Sequence, residues 1–505
     1  MKKKQLRAIC AILSLTMAVS AFTGCGGSGD SAKAEKSDGA VTSQAESSKS
    51  EAAPAPEKTA EKEEAKVGAP GSDGEFDALY EECKDLTDLD AYNYFMALKD
   101  EKGLTDDQIL RFFIGLPLSQ ANQDAYNTYV NDGMEAFTQT YPYGSCYDNY
   151  SWEIGSGTEF VGSLQGDSGK LPFTDYMPME GGTTIGDPNK EYTFAFVGGG
   201  PISSYGTANW DAFVWQCEQF TNVKVMTVSH QGSDDVYSST IDTFIANKVD
   251  AAIISPRSEA VSKPCMERLV AAGIPTITLD RLTGCDDVAV AAAGNYPAGG
   301  AQLGMYLVQK LYEEDGAIEA NIIFMRKQKG GTDDAIRGGH FLKVISYFPG
   351  IKILQNYHDN SNRQEAFANF ESAIQQYQDV DAVICLGDHQ ALAARESLNL
   401  ADRMYSREGG KKVIIATCDD SKETMMWLKK GEIDMCTPYT PYTADIGVRA
   451  AAKIINNEEV PHYLIFPSIP AVLSEGALKT GDSMFNMATM SYDVWKPYGF
   501  GPEVE

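Results

Sequence analysis

The stretch Val249–Arg281, VDAAIISPRSEAVSKPCMERLVAAGIPTITLDR, limits the fold more than any other part of the chain. An apolar run, Ala251–Ser255, breaks at Pro256, and a helical stretch follows. A second apolar run, Thr276–Leu279, then ends on Asp280 and Arg281. Continuous apolar strands separated by helices belong to parallel sheets covered on both faces, because each strand buries both of its sides. The alternation persists from Glu191 onward, with strands expected at Tyr192–Val197, Val223–Val228, Val288–Ala292, Asn321–Met325, Ile351–Asn356, Asp381–Leu386, Lys412–Thr417 and Ile433–Thr437. Helical stretches lie between nearly all of them, with expected caps at Asp234, Ser258 and Asp388. Compact domains usually run to about 100–150 residues, so these strands divide better into two doubly wound lobes than into one.

In open parallel sheets, ligands sit beyond the carboxyl ends of the strands. A carboxylate beside a guanidinium at such an end, as in Asp280–Arg281, suits a polar ligand rich in hydroxyls. Each buried polar group left unsatisfied costs about 1–3 kcal/mol. A dry site for such a ligand therefore needs carboxylates to accept, Arg or Asn to donate, and aromatic rings to cover C–H faces.

The remainder of the sequence bounds where the chain works. With 42 Lys+Arg against 71 Asp+Glu the net charge is −29, and no basic strip follows residue 7. Nucleic acid is excluded on that ground, since phosphate binding needs clustered cations. Lys2, Lys3, Lys4 and Arg7 precede the mostly apolar Ala8–Phe22, the pattern of an export signal over residues 1–24. The segment ends in Phe22-Thr23-Gly24-Cys25, which resembles a bacterial lipobox with Phe22 in place of the usual Leu. Cys25 is then the lipidation site, the alternative being an ordinary signal with a chance Cys. Residues 25–74 are rich in Ser, Ala, Glu, Lys, Gly and Pro and read as a disordered tether. Of ten cysteines, Cys10 and Cys25 leave this count and eight remain, with no Cys-x-x-Cys pair and no His spacing that completes a zinc site. Mostly free thiols are expected, with Cys83 and Cys146 able to pair, and neither a metal nor a cofactor.

Residues 75–189 form a helical and irregular extension. Phe76, Leu79, Tyr80 and Cys83 share one helix face, and Thr105-Asp106-Asp107-Gln108 is a capping box opening a second helix. It is expected to pack on the N-terminal lobe, a free-standing partner-binding module being the alternative. The aromatic tail 477–505 is expected to lie along one lobe.

Several strand ends resemble the sugar-binding members of the periplasmic-binding-protein family, the ribose, galactose and xylose receptors of ABC-type importers. Asp280-Arg281 matches the family's Asp-Arg in identity and place. Asp419, in Thr417-Cys418-Asp419-Asp420, matches its Gly-Phe-Asp-Gly position, and Arg337 matches the Arg that reaches the ligand from the other lobe, although His340 stands where Gly is usual. The resemblance covers residues 190–476. It implies a type I periplasmic binding protein: α/β, with two Rossmann-like doubly wound lobes, three crossover segments and the N-terminal helical extension. On that pattern one lobe is 190–295 plus 420–437 and the other 296–419 plus 438–476. Further ligand-binding candidates are Tyr205 and Trp210 after the first strand, where the family's Asn-Pro-Phe-like segment is absent. Trp210 also continues a stripe with Phe213, Cys217 and Phe220 and serves equally as core. Asn295 follows Gly294, which replaces an acidic residue of the family. Asn362 lies in the next loop, and Asp388 either meets ligand or caps its helix, with Gly387 in place of the family's Asn. Tyr439 stands at the last crossing, and Thr332 and Asp333 are second candidates.

The resemblance implies a monomeric binding protein that captures a small polar ligand, a monosaccharide above all, and delivers it to an ABC-type permease. It would work on the extracytoplasmic face of a Gram-positive cell membrane, touching lipid through its N-terminus alone. A sensory subunit signalling to a membrane kinase, or an autoinducer receptor, is the alternative. An enzyme is disfavoured by the lack of G-x-S-x-G, P-loop and H-E-x-x-H motifs. Carboxylate pairs suited to a glycosidase belong here to two lobes. A repressor of related fold needs a cytoplasmic helix-turn-helix, which the export signal rules out.

Overall fold

A computed structural model describes residues 74–123, 158–160 and 181–472, apart from 201–203, 282, 329–331, 360–361, 420, 438–442, 461 and 467–470. The export signal, Cys25, nearly all of the tether, Cys146, Tyr439 and the tail lie outside these residues. Each of the ten expected strands is found, its ends within two residues of the sequence reading.

The first sheet holds β2 (Tyr192–Gly198), β3 (Val223–Ser229), β4 (Ala251–Ile254), β5 (Thr276–Leu279) and β6 (Val290–Gly294). β12 (Tyr463–Phe466) and β1 (Thr158–Phe160) extend it, and the order is β1-β12-β6-β5-β4-β2-β3, all parallel. The second sheet holds β7 (Ala320–Arg326), β8 (Ile351–His358), β9 (Ala382–Cys385), β10 (Ile414–Cys418), β11 (Met435–Thr437) and an antiparallel edge, β13 (Ala471–Val472). Its order is β13-β11-β10-β9-β7-β8. Counted separately, the five main strands of each lobe follow the same order, 2-1-3-4-5. The fourth strands, β5 and β10, are therefore equivalent.

Helices cover both faces of each sheet, as buried strands require. The first lobe has α4 (Ser204–Glu218), α5 (Asp234–Ala246), α6 (Glu259–Ala271) and α12 (Thr443–Ile455). The second has α7 (Tyr296–Asp315), α8 (Thr332–Ile345), α9 (Arg363–Gln376), α10 (Asp388–Leu400) and α11 (Lys422–Lys429). α7 and α8 cross closely: a Cβ on Gly300 would lie 2.1 Å from the Arg337 carbonyl oxygen.

Two expectations are corrected. Segment 420–437 belongs to the second lobe, because β11 pairs with β10, Thr417 opposite Cys436. The chain returns to the first lobe between Thr437 and Thr443: α12 packs Ala444, Ile446 and Val448 with Ile253, Ile277 and Leu279, and β12 pairs with β6. It leaves again between Phe466 and Ala471. An apolar run marks a strand but carries no record of which neighbour supplies its hydrogen bonds.

The second correction concerns the extension, α1 (Asp77–Cys83), α2 (Asp88–Asp100) and α3 (Asp106–Gly115). The Thr105–Gln108 capping box is present. The helices pack on the second lobe, not the first. Phe95 lies fully buried with its ring 5.3 Å from Tyr347 and 6.2 Å from Phe348, and Tyr92 lies 4.4 Å from Tyr312. The Tyr347 hydroxyl donates to the Pro117 carbonyl at 2.9 Å, and Asn122 Nδ2 to the Ser346 carbonyl at 2.5 Å. The aromatic residues at the ends of α7 and α8 select the lobe, and no helix stripe read alone reveals that partner. Cys83 is a buried free thiol in this core, its pKa pushed up to about 12 by burial. The other described cysteines are also free and buried. No described helix is long and apolar enough to cross a membrane.

Candidate functional site

The two fourth strands end in the same way. Asp280 follows β5 with φ +73°, and Asp419 follows β10 with φ +64°. The Asp280 amide donates to Ala292 of β6, and the Asp419 amide to Thr437 of β11, at 2.8 and 3.0 Å. The Arg281 amide donates to the Leu279 carbonyl, closing a γ-turn with positive φ at its centre, a rare and strained geometry. Residues other than Gly seldom hold this backbone; Asp and Asn do so most readily. Strain of this kind collects at functional sites.

From these two carboxylates a closed ring of contacts runs through both lobes. Arg281 Nε lies 3.5 Å from Asp280, and Arg281 Nη2 donates to Asp333 of α8 at 3.2 Å. Lys327, immediately after β7, lies 3.4 Å from Asp333 and donates to Asp419 at 2.6 Å. Arg337 of α8 donates to the other Asp419 oxygen at 2.5 Å and to the Leu386 carbonyl at 3.1 Å. Its guanidinium covers the Tyr296 ring at 4.4 Å, and the Tyr296 hydroxyl donates back to Asp280. Three carboxylates alternate with three cations, so the ring has no formal net charge.

Burial alone would raise the Asp419 carboxyl, but Arg337 and Lys327 outweigh it and hold it at about 2. Asp333 is treated likewise: against its burial, Arg281, Lys327 and Arg337 keep it well below the usual carboxylate range. Burial lowers Lys327, yet Asp419 and Asp333 carry it above an ordinary lysine. Asp419, Asp333 and Lys327 are therefore ionised at neutral pH.

Among the sequence candidates, Asp280, Arg281, Arg337 and Asp419 meet in this ring, and Asp333 joins them. Tyr205 stands beside it. Its hydroxyl shares hydrogen bonds with Thr443 (3.2 Å) and Asn209 (2.9 Å), and its acidity is suppressed first by burial and then by the Asp280 charge. Asn295 caps α7 through Oδ1, while its buried Nδ2 has no partner among the described residues. That amide is the kind of donor a ligand would satisfy. Trp210 takes the core role, edge-on to Phe196 at 5.7 Å. Asn362 is an exposed cap, accepting from the Gln364 and Glu365 amides. From the same loop the buried residue is Asp359, which accepts from Gln390 at 2.6 Å and pairs with His389 at 3.0 Å. The cap position of α10 falls on Gly387, so Asp388 is not the capping residue; its carboxylate lies 3.9 Å from His389.

Lys327 and Tyr296 were missed by the sequence reading, although both stand at or just beyond strand ends. Gly387 accounts for the lysine: a Cβ there would lie 2.7 Å from Lys327 Cε. Loss of the side chain at 387 makes the room that Lys327 occupies. His340 is buried near the Ile114 backbone, its pKa lowered to about 3 by burial and then by Lys343. The larger side chain thus sits where α3 covers α8.

A family profile described as "Periplasmic binding protein domain" matches residues 194–459, just over half of the chain. The chain belongs to the periplasmic-binding-protein family. This binding protein is 29% identical over 176 residues to a D-apiose import binding protein of Paraburkholderia graminis, a match covering 34% of this chain and 54% of that one. It is 21% identical over 246 residues to the ribose import binding protein of Bacillus subtilis, covering 48% and 76% of the two chains. Among solved structures, the binding component of an arabinose ABC transporter from Shewanella, bound to L-arabinofuranose, shares the fold at a TM-score of 0.51 and 20% identity. That likeness spans 57% of this chain and 94% of the other. These relatives are named for what they bind.

Proposed function

We propose that this binding protein clamps a neutral, hydroxyl-rich small molecule, a monosaccharide or sugar-like polyol, between its lobes and delivers it to an ABC-type permease. The reading rests above all on the ring of Asp280, Arg281, Asp333, Lys327, Asp419, Arg337 and Tyr296, which draws on both lobes and balances its own charge. Hydroxyls both donate and accept, so they can enter such a ring between a carboxylate and a cation. An added net charge would face a counter-charge already taken. The named substrates of the relatives, D-apiose and ribose, fit this chemistry. Tyr205 and Asn295 complete the contacts from the first lobe. Tyr439, at the crossing after β11, Asp388, and anchoring of a monomeric chain through Cys25 on the extracytoplasmic face of the cell membrane belong to the same proposal.

A thermal-shift panel tests it: pentoses, hexoses and polyols, with glucuronate and ribose 5-phosphate as charged controls. Specific binding raises the melting temperature with the logarithm of ligand excess. A neutral polyol is expected to give the shift, and Asp280→Asn and Asp419→Asn each to remove it. A larger response to the charged sugars, or an undiminished shift in both variants, would sink the reading.

A further inference from the structure

We propose that Asp333 is a positioning residue that latches the two lobes together without ligand, by holding Arg281 across the lobe boundary. Arg281 follows β5 in the first lobe; Asp333 lies in the first turn of α8 in the second. Their contact, Arg281 Nη2 to Asp333 Oδ2 at 3.2 Å, is a charged hydrogen bond between the halves. Asp333 is only 4% exposed and is braced from its own lobe by Lys327 at 3.4 Å. Lys327 is itself fixed by Asp419. The brace matters because a carboxylate held on one side by a second cation keeps its charge and direction as the lobes part. Arg281 is braced in turn by Asp280 at 3.5 Å. Both members of the pair are thus prearranged, so little side-chain freedom is lost when they meet. A ligand entering between them must replace this pair hydrogen bond for hydrogen bond. The latch therefore sets a threshold that weakly complementary molecules fail to cross.

The inference concerns the same site as the proposed function but is independent of which ligand binds. The test is hydrogen–deuterium exchange by mass spectrometry on the full ligand-free chain. Asp333→Asn is expected to speed exchange at the end of β5 and Arg281 by about fivefold, the coupling typical of a shielded ion pair. Arg281→Gln should do the same for the first turns of α8. The double variant should exceed neither single one, and about 1 M NaCl should change the wild type far less than either substitution, because salt screens so buried a pair only weakly. Unchanged exchange of the β5 end in Asp333→Asn would overturn the latch. If that variant loosens β9 and the second lobe as a whole, Arg281→Gln decides the matter: no change in α8 then refutes it. Because no ligand is present, failure here leaves the sugar panel untouched, and an unresponsive panel leaves the latch standing.

Discussion

Replacing Asp419 by Asn removes one charge while keeping the backbone that the position demands. At φ +64° Asn is tolerated where Ala is strained, so the amide separates electrostatics from conformation. The substitution leaves Lys327 and Arg337, which approach the two carboxylate oxygens at 2.6 and 2.5 Å, one counter-charge short. The carboxyl is held at about 2 against an ordinary 3.8, although burial opposes this. That difference corresponds to about 2–3 kcal/mol of stability at neutral pH. The sign follows from the depressed value: the unfolded chain takes up the proton first, so the contribution is complete above about pH 4 and is lost as pH falls toward about 2. Calorimetry of ligand-free protein should show the second-lobe transition of Asp419→Asn lowered by roughly 4–10 °C at pH 7. The gap to wild type should narrow steadily below about pH 4, as protonation brings the wild type down to meet the variant. A gap that stays constant with pH would assign the loss to packing, and no gap at pH 7 would refute the electrostatic account.

Two further outcomes are expected. Gly300→Ala places a methyl group against the Arg337 carbonyl, so α8 must shift; stability should fall by about 1–3 kcal/mol in denaturant titration, and any thermal shift given by the proposed polyol ligands should shrink with it as Arg337 moves off Asp419. Phe95→Ala, although it lies outside the family match, should cost about 3–5 kcal/mol and raise amide exchange in α7 and α8 while leaving β4 and β5 protected, because its ring fills the second-lobe core.

The central strands were legible because a both-sides-buried strand must be apolar throughout; the edge strands β3 and β8 are partly exposed and carry Lys224 and Lys352, so only shorter apolar runs marked them between helical stretches. The acids and arginines Asp280, Arg281, Arg337 and Asp419 were legible because each falls where a strand end or the following helix was expected to face ligand. Lys327 obeys the same rule and was overlooked: its meaning appears only when Gly387, sixty residues on, is seen to yield the space it fills. Asn362 shows the opposite failing, since a polar residue near a strand end serves equally well as a helix cap. Lobe membership of 420–437 and of the extension depends on pairing across the chain. An apolar stripe states that a face is buried and says nothing of what buries it.

Asp280 and Asp419 are rooted at matching places, one in each half of the molecule. For the proposed clamp, the span between these two acids would then be set by the angle between the halves and not by the length of either side chain. A cargo too small to touch both would leave closure unfinished, and one too long would prop the halves apart. The pair would work as caliper jaws, placing size discrimination in the hinge as much as in any group that grips the cargo.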